Sequence, residues 1–218
     1  MVETNQIPNG FKNTSVGIIP TDWEVKKLSN IADIQTGSTP PTINRANYGD
    51  EYFFVSPSDI GSRKIIKNTE KKLSATGFNI SRKFPKFSIL FTCIGSTIGK
   101  CAVADRELTS NQQINAIIPN KTYNSDYLYY ILNLFSNIIK KSAGETAVPI
   151  INKTDFGEFL IPLPPTITEQ KAIATALNDT DELISKLEKH IFKKRAIKQG
   201  AMQELLKPKE EWRIKTLD

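Results

Sequence analysis

The run Ile161-Pro-Leu-Pro-Pro165 followed by Thr166-Ile-Thr-Glu169-Gln170 decides how this chain is built. Pro162-Leu-Pro-Pro165 forms a stiff, extended lead-in, because proline fixes φ and has no N–H to give a helix or a ladder. Thr166-Ile-Thr-Glu169 then fits a capping box, with Thr166 as N-cap and Glu169 reaching back to it. Beyond this junction three columns repeat every seven residues: Ile173, Thr180 and Leu187; Ala176, Leu183, His190 and Ile197; Leu177, Ile184 and Ile191. They stand at i, i+3, i+4 spacing and make one broad stripe, with Lys, Asp and Glu on the remaining columns. From Thr166 to Leu206 such a helix is about 60 Å long at 1.5 Å per residue. One small domain cannot bury a stripe of that length, so Ile173, Leu177, Leu183, Ile184, Leu187 and Ile191 are expected to pack on a second helix, in cis or from another chain. After Ile191 the stripe weakens: Lys193, Lys194, Arg195 and Lys198 make a basic patch, and Gly200 is a point of softening.

Upstream of the junction the pattern is different. Residues 1–22 are polar and punctuated by Pro8, Gly10, Gly17 and Pro20, and are expected to be a loose leader. Trp23-Glu-Val-Lys-Lys-Leu28 alternates apolar and polar residues and runs into a short amphipathic stretch through Ile31 and Ile34. Gly37-Ser-Thr-Pro-Pro41 is a loop. Strand-like runs follow at Glu51–Val55, Ser88–Ile94, Lys100–Ala104 and Gln113–Ile118, the second apolar throughout, as in a buried strand. Asp126 to Lys141 reads as a helix. Residues 23–165 are thus expected to form an α+β domain with a curved mixed sheet and flanking helices, followed by one long coiled-coil helix over 166–207. Residues 208–218 open a second, truncated repeat, because Glu211-Trp-Arg-Ile-Lys-Thr-Leu217 echoes Asp22-Trp-Glu-Val-Lys-Lys-Leu28.

Charge points toward a polyanion. The 218 residues carry a net charge of +6. Between Gly61 and Leu90 stand Arg63, Lys64, Lys67, Lys71, Lys72, Arg82, Lys83 and Lys86 against Glu70 alone, so this segment outweighs the surplus of the whole chain. A solvated lysine-rich face would look the same. No apolar run is long enough to span a bilayer and the N-terminus lacks signal-peptide character, which places the expected location in the cytoplasm. Cys93 and Cys101 lie in apolar surroundings without a metal-ligand spacing and read as a buried, reduced pair.

No catalytic constellation emerges. Neither Pro-Pro pair fits an adenine methyltransferase motif, and no Gly-x-Gly-x-x-Gly or phosphate-binding Gly-Lys-Ser/Thr loop occurs. Asp105-Arg-Glu107 reads as a turn between strands, and His190 as a helix-contact residue. DNA contact is a better match. Phosphates take Lys, Arg, hydroxyls and exposed backbone N–H groups, whereas bases take Arg, Lys, Asn and Gln. The loop Thr42–Tyr48 offers Asn44, Arg45, Asn47 and Tyr48, beside Thr39; an ordinary polar loop fits as well. Arg63, Lys64 and Lys67 suit phosphates. Ser96, Thr97 and Lys100 flank Gly95 and Gly99, where backbone can approach a phosphate or simply turn a hairpin. Asn111 and Gln112 either contact DNA or satisfy buried backbone groups.

In order along the chain, Trp23–Leu28, Gly37-Ser-Thr-Pro40, Ser58-Asp-Ile60, Gly95-Ser-Thr-Ile-Gly-Lys100, Asn111-Gln-Gln113, Ile161–Pro165, Glu169-Gln170, Ile173 and Leu177 resemble the specificity subunit of type I restriction–modification systems. A full subunit of that family has two target recognition domains, each followed by a long helix; this chain carries one of each. The resemblance implies a non-catalytic reader of double-stranded DNA. The unpartnered stripe of the long helix is expected to be covered by a second copy, in a homodimer through antiparallel long helices, and two-fold symmetry then requires an interrupted palindrome as target. The resemblance further implies docking of a separate adenine-N6 methyltransferase subunit and a restriction/translocase subunit. S-adenosylmethionine and ATP would belong to those partners, with no cofactor, metal or membrane for this chain. A coiled-coil adaptor holding only proteins together, or an independent DNA-modifying enzyme, are the competing classes.

Overall fold

The computed structural model describes residues 7–144 and 147–207. One compact unit extends through Ala174 and a second begins at Thr175. The first unit therefore takes in the opening turns of the long helix, past the expected boundary at Pro165.

Along the chain run β1 (Phe11–Thr14), β2 (Gly17–Pro20), β3 (Glu24–Lys27), α1 (Leu28–Ile31), β4 (Asp33–Thr36), a 3-10 turn at Arg45–Asn47 and β5 (Tyr48–Val55). Then come β6 (Lys71–Leu73), α2 (Ala75–Ile80), β7 (Lys83–Phe84), β8 (Ile89–Thr92), β9 (Cys101–Val103), β10 (Leu108–Ser110) and β11 (Ile114–Ile118). The last elements are α3 (Ser125–Ser142), α4 (Lys153–Gly157), β12 (Leu160–Leu163) and α5 (Ile167–Leu205). The α+β class and the long C-terminal helix are as expected. The mixed sheet is one of two four-stranded sheets: in β6-β5-β10-β7, β10 runs parallel to β5, whereas β4-β11-β8-β9 is antiparallel throughout. No described helix is long and apolar enough to cross a membrane.

The apolar run at β8 is explained by two cores. Ile89, Phe91 and Cys93 enter one cluster, whereas Leu90 enters another; Cys101 and Val103 part from Ala102 and Ala104 in the same way, and Ile117 from Ile114 and Ala116. Successive strand residues point to opposite faces, so a sheet covered on both sides needs unbroken apolar strands. The first cluster also holds Leu28, Tyr127, Leu128, Leu132 and Phe156 of α1, α3 and α4. The second holds Phe53, Val55, Phe84 and Leu108 from the mixed sheet.

The described part of the expected loose leader is a hairpin instead. β1 pairs with β2 from Phe11↔Pro20 to Thr14↔Gly17. Gly17 closes it at φ +109°, and the Thr14 hydroxyl both accepts from Val16 N–H (3.3 Å) and donates to the Gly17 carbonyl (2.7 Å). The glycines that read as punctuation supply the positive φ of a tight turn.

The proline junction works as expected on one side only. Thr166 Oγ1 accepts from Glu169 N–H at 3.1 Å. Glu169 does not reach back: its carboxylate accepts from Trp23 Nε1 at 2.9 Å. Trp23 precedes β3, which pairs with β12 from Leu160↔Lys27 to Leu163↔Glu24, and this pairing brings the indole to the helix start. Gln170, buried, accepts from Asn124 N–H (2.8 Å) and donates to the Pro164 carbonyl (3.3 Å). Asn124 is the N-cap of α3, so one amide ties two helix starts together. α5 continues unbroken through Gly200. The Trp212 echo lies outside the described residues.

Candidate nucleic-acid interface

The segment Gly37–Tyr48 is a strap held at both ends. Gly37 N–H donates to Ile114 and Ser38 N–H to Ser110, both at 2.9 Å. A Cβ on Gly37 would stand 2.1 Å from the Asn111 carbonyl, so only glycine allows this approach. The Thr39 hydroxyl donates to Gln112 Oε1. At the far end Tyr48 Oη donates to the Pro40 carbonyl (3.1 Å) and Asn47 Nδ2 to the Pro41 carbonyl (3.0 Å), while the Asn47 carbonyl accepts from Ser74 N–H (3.1 Å). Between these anchors Ile43, Asn44 and Arg45 are exposed, with Asn44 Oδ1 capping the 3-10 turn at Ala46 N–H (3.1 Å).

Asn47 does not belong among the exposed readers. It is 1% exposed and its amide nitrogen is spent on the strap, so it shapes the loop that presents its neighbours. Arg82 was not singled out as a site residue, yet it joins this neighbourhood. Its backbone N–H donates to Ser38 Oγ (2.7 Å) and its guanidinium donates to the Thr36 carbonyl. Nothing in sequence spacing links Arg82 to Thr36; only its membership of the basic segment pointed to it. Thr39, Asn44, Arg45, Arg82 and Gln112 thus sit on one hydrogen-bonded strap and its supports.

The second group of candidates divides. Asp59 fixes the turn before it, accepting from Ser56 N–H (2.8 Å), Ser56 Oγ (2.7 Å) and Glu70 N–H (2.8 Å). Arg63 is exposed. Lys64 is not a free phosphate ligand: its ammonium is 2.6 Å from Asp126 and 5.0 Å from the Tyr130 ring centroid, with its side chain 15% exposed. Burial of the stem against α3 leaves the charge best satisfied there. Lys67 is exposed and 3.2 Å from Asp105, which Arg106 also contacts at 2.9 Å. The hydrogen bonds from Arg106 and Lys67 hold the Asp105 carboxyl below its ordinary range against the opposing effect of burial. Asp105–Glu107 is the β9–β10 connection, a turn as expected.

The third group surrounds the β8–β9 turn. Gly95 and Gly99 have φ +84° and +98°. Ser96 is exposed, and its carbonyl accepts from Lys140 Nζ at 3.1 Å. The Thr97 carbonyl accepts from Lys100 N–H (3.2 Å), and Lys100 Nζ lies 3.4 Å from the Pro57 carbonyl. Asn111 turns inward, bonding Gln113 through both ends of its amide (3.0 and 3.1 Å), whereas Gln112 is exposed. Cys93 and Cys101 are buried free thiols, and burial pushes the Cys93 thiol up to about 12 and Cys101 up as well. No metal-binding group of His, Cys, Asp and Glu is present among the described residues.

Residues 20–195 match the type I restriction modification DNA specificity domain. The chain belongs to that family. It is 35% identical over 188 residues to the type I restriction enzyme MjaIX specificity subunit of Methanocaldococcus jannaschii, covering 82% of this chain and 42% of that protein. Over 151 residues it is 32% identical to the HindI specificity subunit of Haemophilus influenzae, covering 67% and 33%. The chain therefore spans less than half the length of these curated relatives. The fold is shared with the HsdS subunit of Thermoanaerobacter tengcongensis (TM-score 0.63, 21% identity, 83% of this chain and 42% of that one). It is shared also with the type I S subunit of M. genitalium (TM-score 0.60, 20% identity, 92% and 47%). In each of these proteins the match covers less than half of the length.

On α5 the expected contact residues have two fates. Ile173 is half-buried against the first core and Ala174 is buried, so Ile173 is already used by the recognition unit. Leu177, Leu183, Ile184, Leu187 and Ile191 are exposed.

Proposed function

We propose that this chain is a non-catalytic, DNA-reading half of a type I specificity subunit, acting as a homodimer joined through α5. Membership of the specificity family supports the role, and the observation that carries the dimer is the bare apolar stripe: Leu183, Ile184, Leu187 and Ile191 are each about half-exposed. An isolated amphipathic helix gains most of its stability from packing that stripe, so a second α5 is its natural cover. Each recognition unit reads a half-site, with Asn44, Arg45 and Gln112 directed to bases and supported by Thr39, Tyr48 and Asn111. Arg63, Lys67, Ser96, Thr97 and Lys100 supply phosphate contacts, alongside Arg82. Two-fold symmetry of the protein then demands an interrupted palindrome. The paired helices also dock a separate adenine-N6 methyltransferase subunit, and a restriction/translocase subunit completes the complex; S-adenosylmethionine and ATP bind those partners.

Methylome sequencing of cells expressing the chain with its methyltransferase partner tests this reading. Methylation of an interrupted palindrome is the expected result. A split, asymmetric target overturns the homodimer, and DNA binding that is indifferent to salt overturns the polyanion contact and favours a protein adaptor. Methyl transfer or cleavage by the purified chain alone overturns the non-catalytic role.

A further inference from the structure

The exposed length of α5 carries more information than an apolar stripe. Its three columns are Leu177, Ile184 and Ile191 on one side; Thr180 and Leu187 along the middle; Ala176, Leu183, His190 and Ile197 on the other. All are exposed. Charge along the same stretch is segregated. Asp179, Asp181, Glu182 and Glu188 stand against Lys186 in the first part, whereas Lys189, Lys193, Lys194, Arg195 and Lys198 follow with no acid among them. A helix with one acidic and one basic half and a continuous apolar stripe is complementary to itself in one direction only.

We infer that two copies of α5 pair antiparallel in a single register, with the two-fold axis passing at Leu187. The inference rests on the homodimer reading and adds the register to it. A two-fold axis perpendicular to both helices lays like columns against each other, running in opposite directions. Centred at Leu187, the middle column places Leu187 on Leu187 of the second copy. One flank places Ile184 against Ile191 of the second copy. The other flank places Leu183 beside His190 and Ala176 beside Ile197 of the second copy. On the rims, Asp179 meets Lys193 of the second copy and Asp181 meets Arg195 of the second copy, each twice by symmetry.

The alternatives lose these matches. Across the axis of the favoured register Lys186 faces Lys186 and Glu188 faces Glu188 of the second copy, so four opposite-charge rim pairs stand against two like pairs. Sliding by one heptad leaves two against two, with Asp179–Lys186 against Asp181–Glu188 in one direction and Glu188–Arg195 against Lys186–Lys193 in the other, and both are disfavoured by comparison. A parallel, in-register pair crowds both copies of Asp179, Asp181 and Glu182 at one end and both copies of Lys193, Lys194 and Arg195 at the other. In the favoured register the two Ala174 positions are about 40 Å apart along the helix axes at 1.5 Å per residue, near the roughly 34–36 Å of one duplex turn.

The test uses the full chain carrying Leu187→Cys, with Lys189→Cys on the outward side of the helix as control. Cys93 and Cys101 are buried and do not compete. After mild oxidation, Leu187→Cys is expected to run almost wholly as a disulfide-linked dimer and Lys189→Cys as a monomer on a non-reducing gel. Charge exchange gives an independent measurement. Asp181→Arg and Arg195→Asp are each expected to raise the dimer dissociation constant about tenfold, and the two together to return it to within about threefold of the starting value. Sedimentation of the unsubstituted chain separates the two levels. A monomer at micromolar concentration overturns the homodimer itself. A stable dimer in which Leu187→Cys fails to cross-link, or in which the charge exchange gives no rescue, leaves the dimer standing and overturns the register.

Discussion

The first eight residues of α5 and the thirty-one that follow belong to one continuous helix, yet they obey different rules. In Ile167–Ala174 the buried side chains are a glutamine and an alanine, and the helix is held by hydrogen bonds to loops from distant parts of the chain. From Thr175 onward the residues are the ones a helix normally buries, and they are exposed. The anchored part is satisfied within one chain; the stripe is not. Burial therefore follows from which neighbours the fold supplies, and along the stripe the described residues supply none.

The widest separation between the two regions comes from truncating a core side chain in each. Phe156 is fully buried in α4 and stacks on Phe91 with centroids 4.8 Å apart. Phe156→Ala is expected to destabilise the recognition unit by about 3–5 kcal/mol in urea titration, the usual cost of emptying a large aromatic site. Leu183→Ala, at a similarly apolar residue of the stripe, is expected to leave that transition unmoved and to weaken self-association instead. Equal losses of stability in the two variants would erase the distinction.

Next in size is Gln170→Leu. Leucine fills much of the same volume but leaves the Asn124 N–H without its acceptor in a part-buried setting, an omission worth about 1–3 kcal/mol. The same change would be welcome on the stripe, so its sign separates the anchor from the remainder of the helix. Stability within 0.5 kcal/mol of the parent, by urea denaturation, would show that the tie between the starts of α3 and α5 contributes little.

The sequence displayed the two regions unevenly. The strands over Glu51–Val55, Ser88–Ile94 and Gln113–Ile118, the helix at Asp126–Lys141 and the proline junction were all legible, because each carries its own period or punctuation. The hairpin at Phe11–Pro20 was not. Four-residue strands with polar faces have too little pattern to distinguish from a loop, and only the turn glycines hinted at it. Partners far apart in sequence were hidden for a different reason. Glu169 and Trp23 are 146 residues apart, and a local capping rule assigned the carboxylate to the nearest N–H because nothing local named the indole. The strap shows the same limit: Asn44 and Asn47 are identical in chemistry, and only the fold buries one and exposes the other.

Trp23→Phe measures that hidden contact. It keeps the aromatic ring beside Tyr127, 6.3 Å away and edge-on, and removes only the donor to Glu169. A part-buried hydrogen bond to a carboxylate is worth about 1–2 kcal/mol, and the freed Glu169 can recover part of it by closing the capping box on Thr166 N–H. The expected loss is therefore about 1 kcal/mol, smaller than that of Gln170→Leu, and a larger loss would mean that Glu169 cannot return to the helix start.

The finest comparison sets two adjacent cations against each other. Lys64 pairs with Asp126 and lies over two tyrosine rings, whereas Arg63 is exposed. Asp126 is more than a third exposed, so water screens much of the pair, and Lys64→Ala is expected to cost only about 1 kcal/mol of stability, part of it from lost packing of the stem. Arg63→Ala should stay within about 0.5 kcal/mol of the parent, as surface changes usually do. On duplex DNA the order reverses. If Arg63 neutralises a phosphate, its removal weakens binding to all sequences alike and lowers the slope of log affinity against log salt by about one. Lys64→Ala should leave that slope unchanged, because its charge is already committed inside the protein. A lower slope for Lys64→Ala and none for Arg63→Ala would mean that DNA outcompetes Asp126 for the lysine, and the positive face would then have to be redrawn around α3.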